Sequence, residues 1–130
     1  MNYNEDRIDY QRVLQELHMT EESAQKMINY KEDMISIPID NYKIRILPSK
    51  IQGLGLITTD IIELNEIIGP VFINGLRTQF ERYVNHSKNP SSTFIKIDNN
   101  YFLKSICKMY IGDEVTVDYL ACLRNYQNYT

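Results

Sequence analysis

The chain has 130 residues, 43% of them hydrophobic, and a formal net charge of −3, enough for one modest core and a single domain with or without an appendage. No apolar run approaches the roughly 20 residues of a membrane span, and the N-terminus, Met1 to Asp6, lacks the basic-then-apolar pattern of a signal peptide. Two cysteines, Cys107 and Cys122, fit a reducing compartment better than a disulfide framework; the expectation is a soluble, intracellular protein. Residues 1–40 carry four basic and nine acidic side chains, and residues 41–130 carry ten and eight. Neither part has the strongly basic face of a nucleic-acid binder. His18 and His86 lie far apart, and no Cys-x-x-Cys or His-x-x-x-His occurs, so no zinc or other metal site is expected.

In chain order, Tyr10, Val13, Leu14 and Leu17 fall at helical spacing and predict an amphipathic helix. Its apolar stripe needs cover, either from the rest of the chain or from a second copy in a homodimer. Thr20 is placed to cap a second helix, with Glu21 and Glu22 in its first turn and Ala24, Met27 and Ile28 continuing the stripe. Ile37-Pro38-Ile39 ends it. From Tyr42 to Ile46 the pattern turns to period two, the mark of a half-buried strand. Ile61-Ile62, Ile67-Ile68 and Val71-Phe72-Ile73 are short strand-like runs separated by Glu, Asn, Gly and Pro. Thr93 to Ile97 and Tyr101 to Leu103, joined by Asp98-Asn99-Asn100, predict a hairpin, and Val115 to Val117 a last strand. The expected class is α+β, predominantly β: a helical arm over residues 1–40, then a domain of short strands over 41–130.

Gly53-Leu54-Gly55 is neither a dinucleotide fingerprint, since Thr58 stands where the third glycine belongs, nor a phosphate loop, since no Gly-Lys-Ser/Thr follows. Alone it marks a tight bend between strands or a close approach of backbone to ligand. Asn85-His86-Ser87 alone reads as a loop or helix start, Asn89-Pro90 as a turn, and a single histidine there as structural.

Taken in order, Ser49-Lys50-Ile51-Gln52-Gly53-Leu54-Gly55, Arg82-Tyr83-Val84-Asn85-His86-Ser87-Lys88-Asn89-Pro90-Ser91 and Gly112-Asp113-Glu114-Val115-Thr116-Val117-Asp118-Tyr119 resemble the signature of SET-domain protein lysine methyltransferases. That family carries a Gly-x-Gly after a short strand, an Arg-x-x-Asn-His-Ser-x-x-Pro-Asn segment and a Gly-Glu-Glu-Leu-Thr-x-Asp-Tyr segment. The match covers residues 41–130 and is similar to the small stand-alone SET proteins of viruses and bacteria. Ser91, Asp113 and Asn65 depart from the family's Asn, Glu and Gly. The segment from Gly69 to Arg82 is short for a family that often builds a groove wall there, and Cys122 has no cysteine-rich tail around it.

The resemblance implies a SET fold, in which the C-terminal strand passes beneath a loop in a knot-like threading. It implies S-adenosylmethionine as cofactor, held by Gln52, Gly53, Leu54 and Gly55 through main-chain contacts and by Arg82, Asn85, His86 and Tyr119. It implies methylation of lysine side chains in a protein substrate, with Tyr119 as the catalytic residue and Tyr119 and the tail residue Tyr126 lining the lysine channel. For a viral protein the substrate is a basic host protein of the cytoplasm or nucleus; neither nucleic acid nor membrane is an expected partner. The rival expectation is a non-catalytic SET-like module that binds a partner protein.

Overall fold

The computed structural model describes residues 3–23, 26 and 33–122. Helix α1 spans Tyr3–Glu16, and a single turn, α2, spans Gln79–Tyr83; the strands are β1 (Ile44–Pro48), β2 (Leu54–Thr58), β3 (Ile67–Ile73), β4 (Leu76–Arg77), β5 (Asn85–His86), β6 (Ser92–Ile97), β7 (Asn100–Ser105) and β8 (Glu114–Val117). The class is α+β and mostly β. No described helix is long and apolar enough to cross a membrane.

The strands form two four-stranded sheets. One runs β4-β3-β7-β6 and is antiparallel throughout; the other runs β1-β2-β8-β5, antiparallel except for the parallel β5–β8 pair. Alternation along β7 buries Tyr101, Leu103 and Ser105 and leaves Phe102 and Lys104 half-buried, as period-two patterning requires. Tyr101 and Leu103 join Ile44, Leu56, Ile62, Val71, Phe80, Met109, Val115 and Val117 in one apolar core. The Phe80 ring meets Tyr42 edge-on at 5.2 Å.

The β6–β7 hairpin stands where the sequence puts it, and so does the α1 stripe as far as Leu14; Leu17 lies past the end of the helix, in a turn, and is half-buried. Tyr10, Val13 and Leu14 are buried within the same chain, and Asp98 takes φ 55° in the hairpin turn. Thr20 Oγ accepts from Ser23 N at 3.0 Å and residues 21–23 are helical; Ala24, Met27 and Ile28 lie outside the described residues, as does Tyr126.

Four elements differ from expectation. β1 begins at Ile44, since Tyr42 and Lys43 form a bend whose carbonyls at Ile39, Tyr42 and Ile44 all accept from the Arg45 guanidinium. Ile61-Ile62 is no strand; Ile62 only bridges Met109. The two runs before and after Gly69-Pro70 are one strand, β3, because the ladder to β7 absorbs a proline without an N–H through register shifts on either side. Asn85-His86 is neither loop nor helix start: it forms β5, tied in parallel to Thr116 and Val117.

The segment after β5 grips β8 from both ends. Ser87 N donates to Val117 O at 3.0 Å. Ser91 Oγ donates to Glu114 O and accepts from Thr116 N, and Ser92 Oγ donates to Thr116 O. These bonds bring residues 85–92 against residues 114–117.

Candidate functional site

The β1–β2 connection is a turn organised by one hydroxyl. Ser49 Oγ accepts from Ile51 N and Gln52 N, while Ser49 N donates to Gly53 O at 2.8 Å. Gly53 adopts φ 50°, the left-handed conformation that glycine takes at least cost. Gly55 has another reason to be glycine: a Cβ there would lie 2.5 Å from Glu114 Oε2 and 3.0 Å from Asn85 Nδ2.

Those two side chains tie the three motifs together. Glu114, buried at the head of β8, accepts from Ser49 Oγ at 2.7 Å and from Asn85 Nδ2 at 2.9 Å. Asn85 Nδ2 also faces Gln52 O at 3.1 Å and Leu54 O at 3.2 Å. Burial pushes the Glu114 carboxyl above its ordinary range, with the Ser49 and Asn85 hydrogen bonds opposing and the nearby Asp6 charge adding to it. Residues more than 25 positions apart thus converge on one carboxylate.

Helix α1 closes over this loop. Asp9 Oδ2 lies 2.5 Å from His86 Nε2, while Tyr119 N donates to His86 Nδ1 at 3.0 Å. A nitrogen accepting a backbone N–H carries no proton, so the ring proton sits on Nε2 and is donated to Asp9. Asp9 Oδ1 accepts from Arg12 at 2.7 Å. Burial pushes the Asp9 carboxyl up, but the bonds from His86 and Arg12 outweigh it and hold the group below its ordinary value. Ser87 Oγ donates to Asp6 Oδ1 at 2.7 Å, and Arg7 donates to Gln52 Oε1 at 3.2 Å. The Tyr10 ring meets Tyr119 edge-on at 6.0 Å.

Tyr119 opens the helical turn after β8. Its hydroxyl donates to Val84 O at 2.8 Å and its ring lies 5.1 Å from that of His86. Burial holds the phenol far above its usual pKa, so it stays protonated. Donation to Val84 leaves the oxygen's lone pairs as acceptors.

The structure therefore gathers Gln52, Gly53, Leu54, Gly55, Asn85, His86 and Tyr119 into one neighbourhood. Arg82 stands on α2, its guanidinium 4.8 Å above the Tyr83 ring. Among the described residues no group of three or more His, Cys, Asp or Glu side chains is placed to hold a metal ion.

Sequence reasoning missed Glu114, Ser49, Asp6, Asp9 and Tyr10 as members of this cluster. The signal for the α1 residues was present: Asp6, Asp9, Tyr10, Val13 and Leu14 share one helical face, and all five are buried. Two acids at the head of an apolar stripe point to polar partners beneath the helix, because buried carboxylates are seldom left unpaired.

The chain matches no protein-family model and no curated protein sequence. Among solved structures it is similar to a candidate histone methyltransferase of Plasmodium falciparum, at 24% identity and TM-score 0.49 over 61% of this chain and 94% of that one. It is also similar to the methyltransferase domain of human PR domain-containing protein 2, at 18% identity and TM-score 0.48 over 62% and 77%. Likeness at this level transfers neither an activity nor a set of site roles to the chain; those rest on its own residues.

Proposed function

We propose that the chain is a SET-like methyltransferase that transfers a methyl group from S-adenosylmethionine to lysine side chains of a protein substrate inside the cell. The observation that carries this reading is the convergence of Gly53-x-Gly55, Asn85-His86 and Tyr119 around the buried Glu114 carboxylate. A buried anionic cluster suits a cationic ligand, and the cofactor is a cation at its sulfonium. Gln52 to Gly55, Arg82, Asn85, His86 and Tyr119 are the residues that would hold it. When bound, S-adenosylmethionine supplies a methyl group activated by the sulfonium leaving group.

The protein's part is positioning and dehydration. Free lysine titrates near about 10.4 and must lose a proton to be a nucleophile. An apolar channel favours the neutral amine. The Tyr119 hydroxyl, fixed by its bond to Val84 O, presents lone pairs that accept an amine N–H and aim the nitrogen lone pair at the methyl carbon. Tyr119 is thus the catalytic residue of the proposal, and Tyr126 of the tail is assigned with it to the channel wall. The arm over residues 1–40 serves as cover for the domain over 41–130.

A second reading, a non-catalytic module that binds a partner protein, is favoured by one observation: the Gln52 and Leu54 carbonyls and the Asn85 amide are already bonded within the chain. Incubation with S-adenosylmethionine labelled in its methyl group and a host-cell lysate, followed by mass spectrometry, separates the two. Label on lysine nitrogen that disappears in Tyr119→Phe supports the enzyme. A folded protein that binds the cofactor but transfers no label, or one that labels equally well as Tyr119→Phe, contradicts it.

A further inference from the structure

Two carboxylates of α1 enter the same buried seam and are treated differently. Asp9 is satisfied on both oxygens, by Arg12 on one and His86 on the other. Asp6 is 3% exposed; its Oδ1 accepts from Ser87, but its Oδ2 is buried with no hydrogen-bond partner. A buried carboxylate oxygen without a partner has given up its hydration and gained no hydrogen bond in return, which is costly in a low-dielectric site. Asp6 is also among the groups whose charge acts on Glu114. Ser49, Asn85 and Ser87 offer these acids only neutral hydrogen bonds. What Asp6 Oδ2 lacks is a donor, and a cationic one suits a carboxylate best.

We infer that Asp6 is a ligand-binding residue, its free oxygen accepting a hydrogen bond from the primary ammonium of the bound cofactor's amino-acid end. The inference rests on the proposed cofactor reading and adds to it that α1 supplies part of the binding site. Because Asp6 arrives on a helix held by the seam, ligand binding and α1 docking are coupled: the ammonium offsets the buried charge that otherwise opposes closure.

Calorimetry on the full chain tests it with two probes, S-adenosylhomocysteine and its deaminated analogue, in which hydrogen replaces the amino group. Wild type is expected to bind the analogue about tenfold or more weakly, as loss of one charge-assisted hydrogen bond predicts. Asp6→Asn is expected to weaken S-adenosylhomocysteine to a similar degree and to leave the analogue within about twofold, so that the two losses are not additive and the cycle shows them to be one interaction. Equal binding of both probes to wild type overturns the inference without any variant, which covers the case of Asp6→Asn failing to fold. Equal weakening of both probes in Asp6→Asn shows a purely structural role and also overturns it, with the cofactor reading intact. Failure of wild type to bind either probe sinks the cofactor reading itself, and the inference with it.

Discussion

The β4-β3-β7-β6 sheet and the seam between α1 and the β5–β8 pair are held by opposite means. The sheet packs a run of apolar side chains, Val71, Tyr101 and Leu103 among them, against Phe80 and the β1-β2-β8 strands. The seam buries Asp6, Asp9, His86, Ser87, Ser91, Ser92, Glu114 and Thr116, most of the buried polar side chains among the described residues. Its apolar share is the small cluster of Tyr10 and Leu14 with Met19 and Tyr119. Apolar burial is non-directional and tolerant, whereas buried polar groups need particular partners in particular places. A region that accepts that cost is where ligand chemistry is to be expected.

Breaking the sheet should have the largest effect. Phe80→Ala empties a fully buried ring site against Tyr42 and is expected to cost about 3–5 kcal/mol of global stability, read as a fall in the denaturant midpoint with an unchanged slope. A loss under about 1 kcal/mol would show that this core is not where stability resides.

Next comes the end of the seam to which the reaction is assigned in the proposal. Tyr119→Phe removes the hydroxyl that donates to Val84 and keeps the ring against Tyr10 and His86. Methyl transfer is expected to fall about 100-fold or more, while stability drops by only about 1 kcal/mol. Single-turnover assays and chemical denaturation on the same sample separate the two; a parallel loss in both would make the hydroxyl merely structural.

Leu14→Ala sharpens the contrast between global and local stability. It is expected to cost about 2–3 kcal/mol, expressed as faster hydrogen exchange in α1 with β3 and β7 little changed. Uniform acceleration through both regions would mean that the helix and the sheets open as one unit.

Acid should act on the seam too, and more gently. Asp9 titrates below its ordinary value of 3.8 in the folded chain. A depressed carboxyl contributes stability that is present above the unfolded value and is lost as pH falls through the folded one. Docking of α1 should therefore weaken below about pH 3.8 in wild type, an effect that Asp9→Asn abolishes. Tyrosine fluorescence or α1 hydrogen exchange against pH reads it, and an identical acid profile in the variant would assign the change to another group.

How much of this the sequence disclosed follows from the range of the interactions. The α1 stripe and the β6–β7 hairpin were legible because period 3.6 or 2 is written into neighbouring residues. The five residues of α2 are too few to show a period, and β5 owes its conformation to Thr116 and Val117, some 30 positions away. Gly69-Pro70 looked like punctuation, yet pairing with β7 carried the strand through it. In the candidate site, Gly53-x-Gly55, Asn85-His86 and Tyr119 were singled out by the order of their motifs. Asp6 and Asp9 were overlooked because only the apolar residues of their helical face were counted, and Glu114 because a strand's first residue is commonly exposed.

The central claim is that the two sides of the seam bind one ligand together. Backbone amide shifts during a titration with S-adenosylhomocysteine measure this directly. Perturbations should centre on Gln52 to Gly55, Asn85 to Ser87 and Tyr119, and should include Asp6 to Tyr10 of α1, with β6 and β7 unchanged. Saturable binding whose shifts lie on the β4-β3-β7-β6 sheet, or no binding at millimolar ligand, would contradict it.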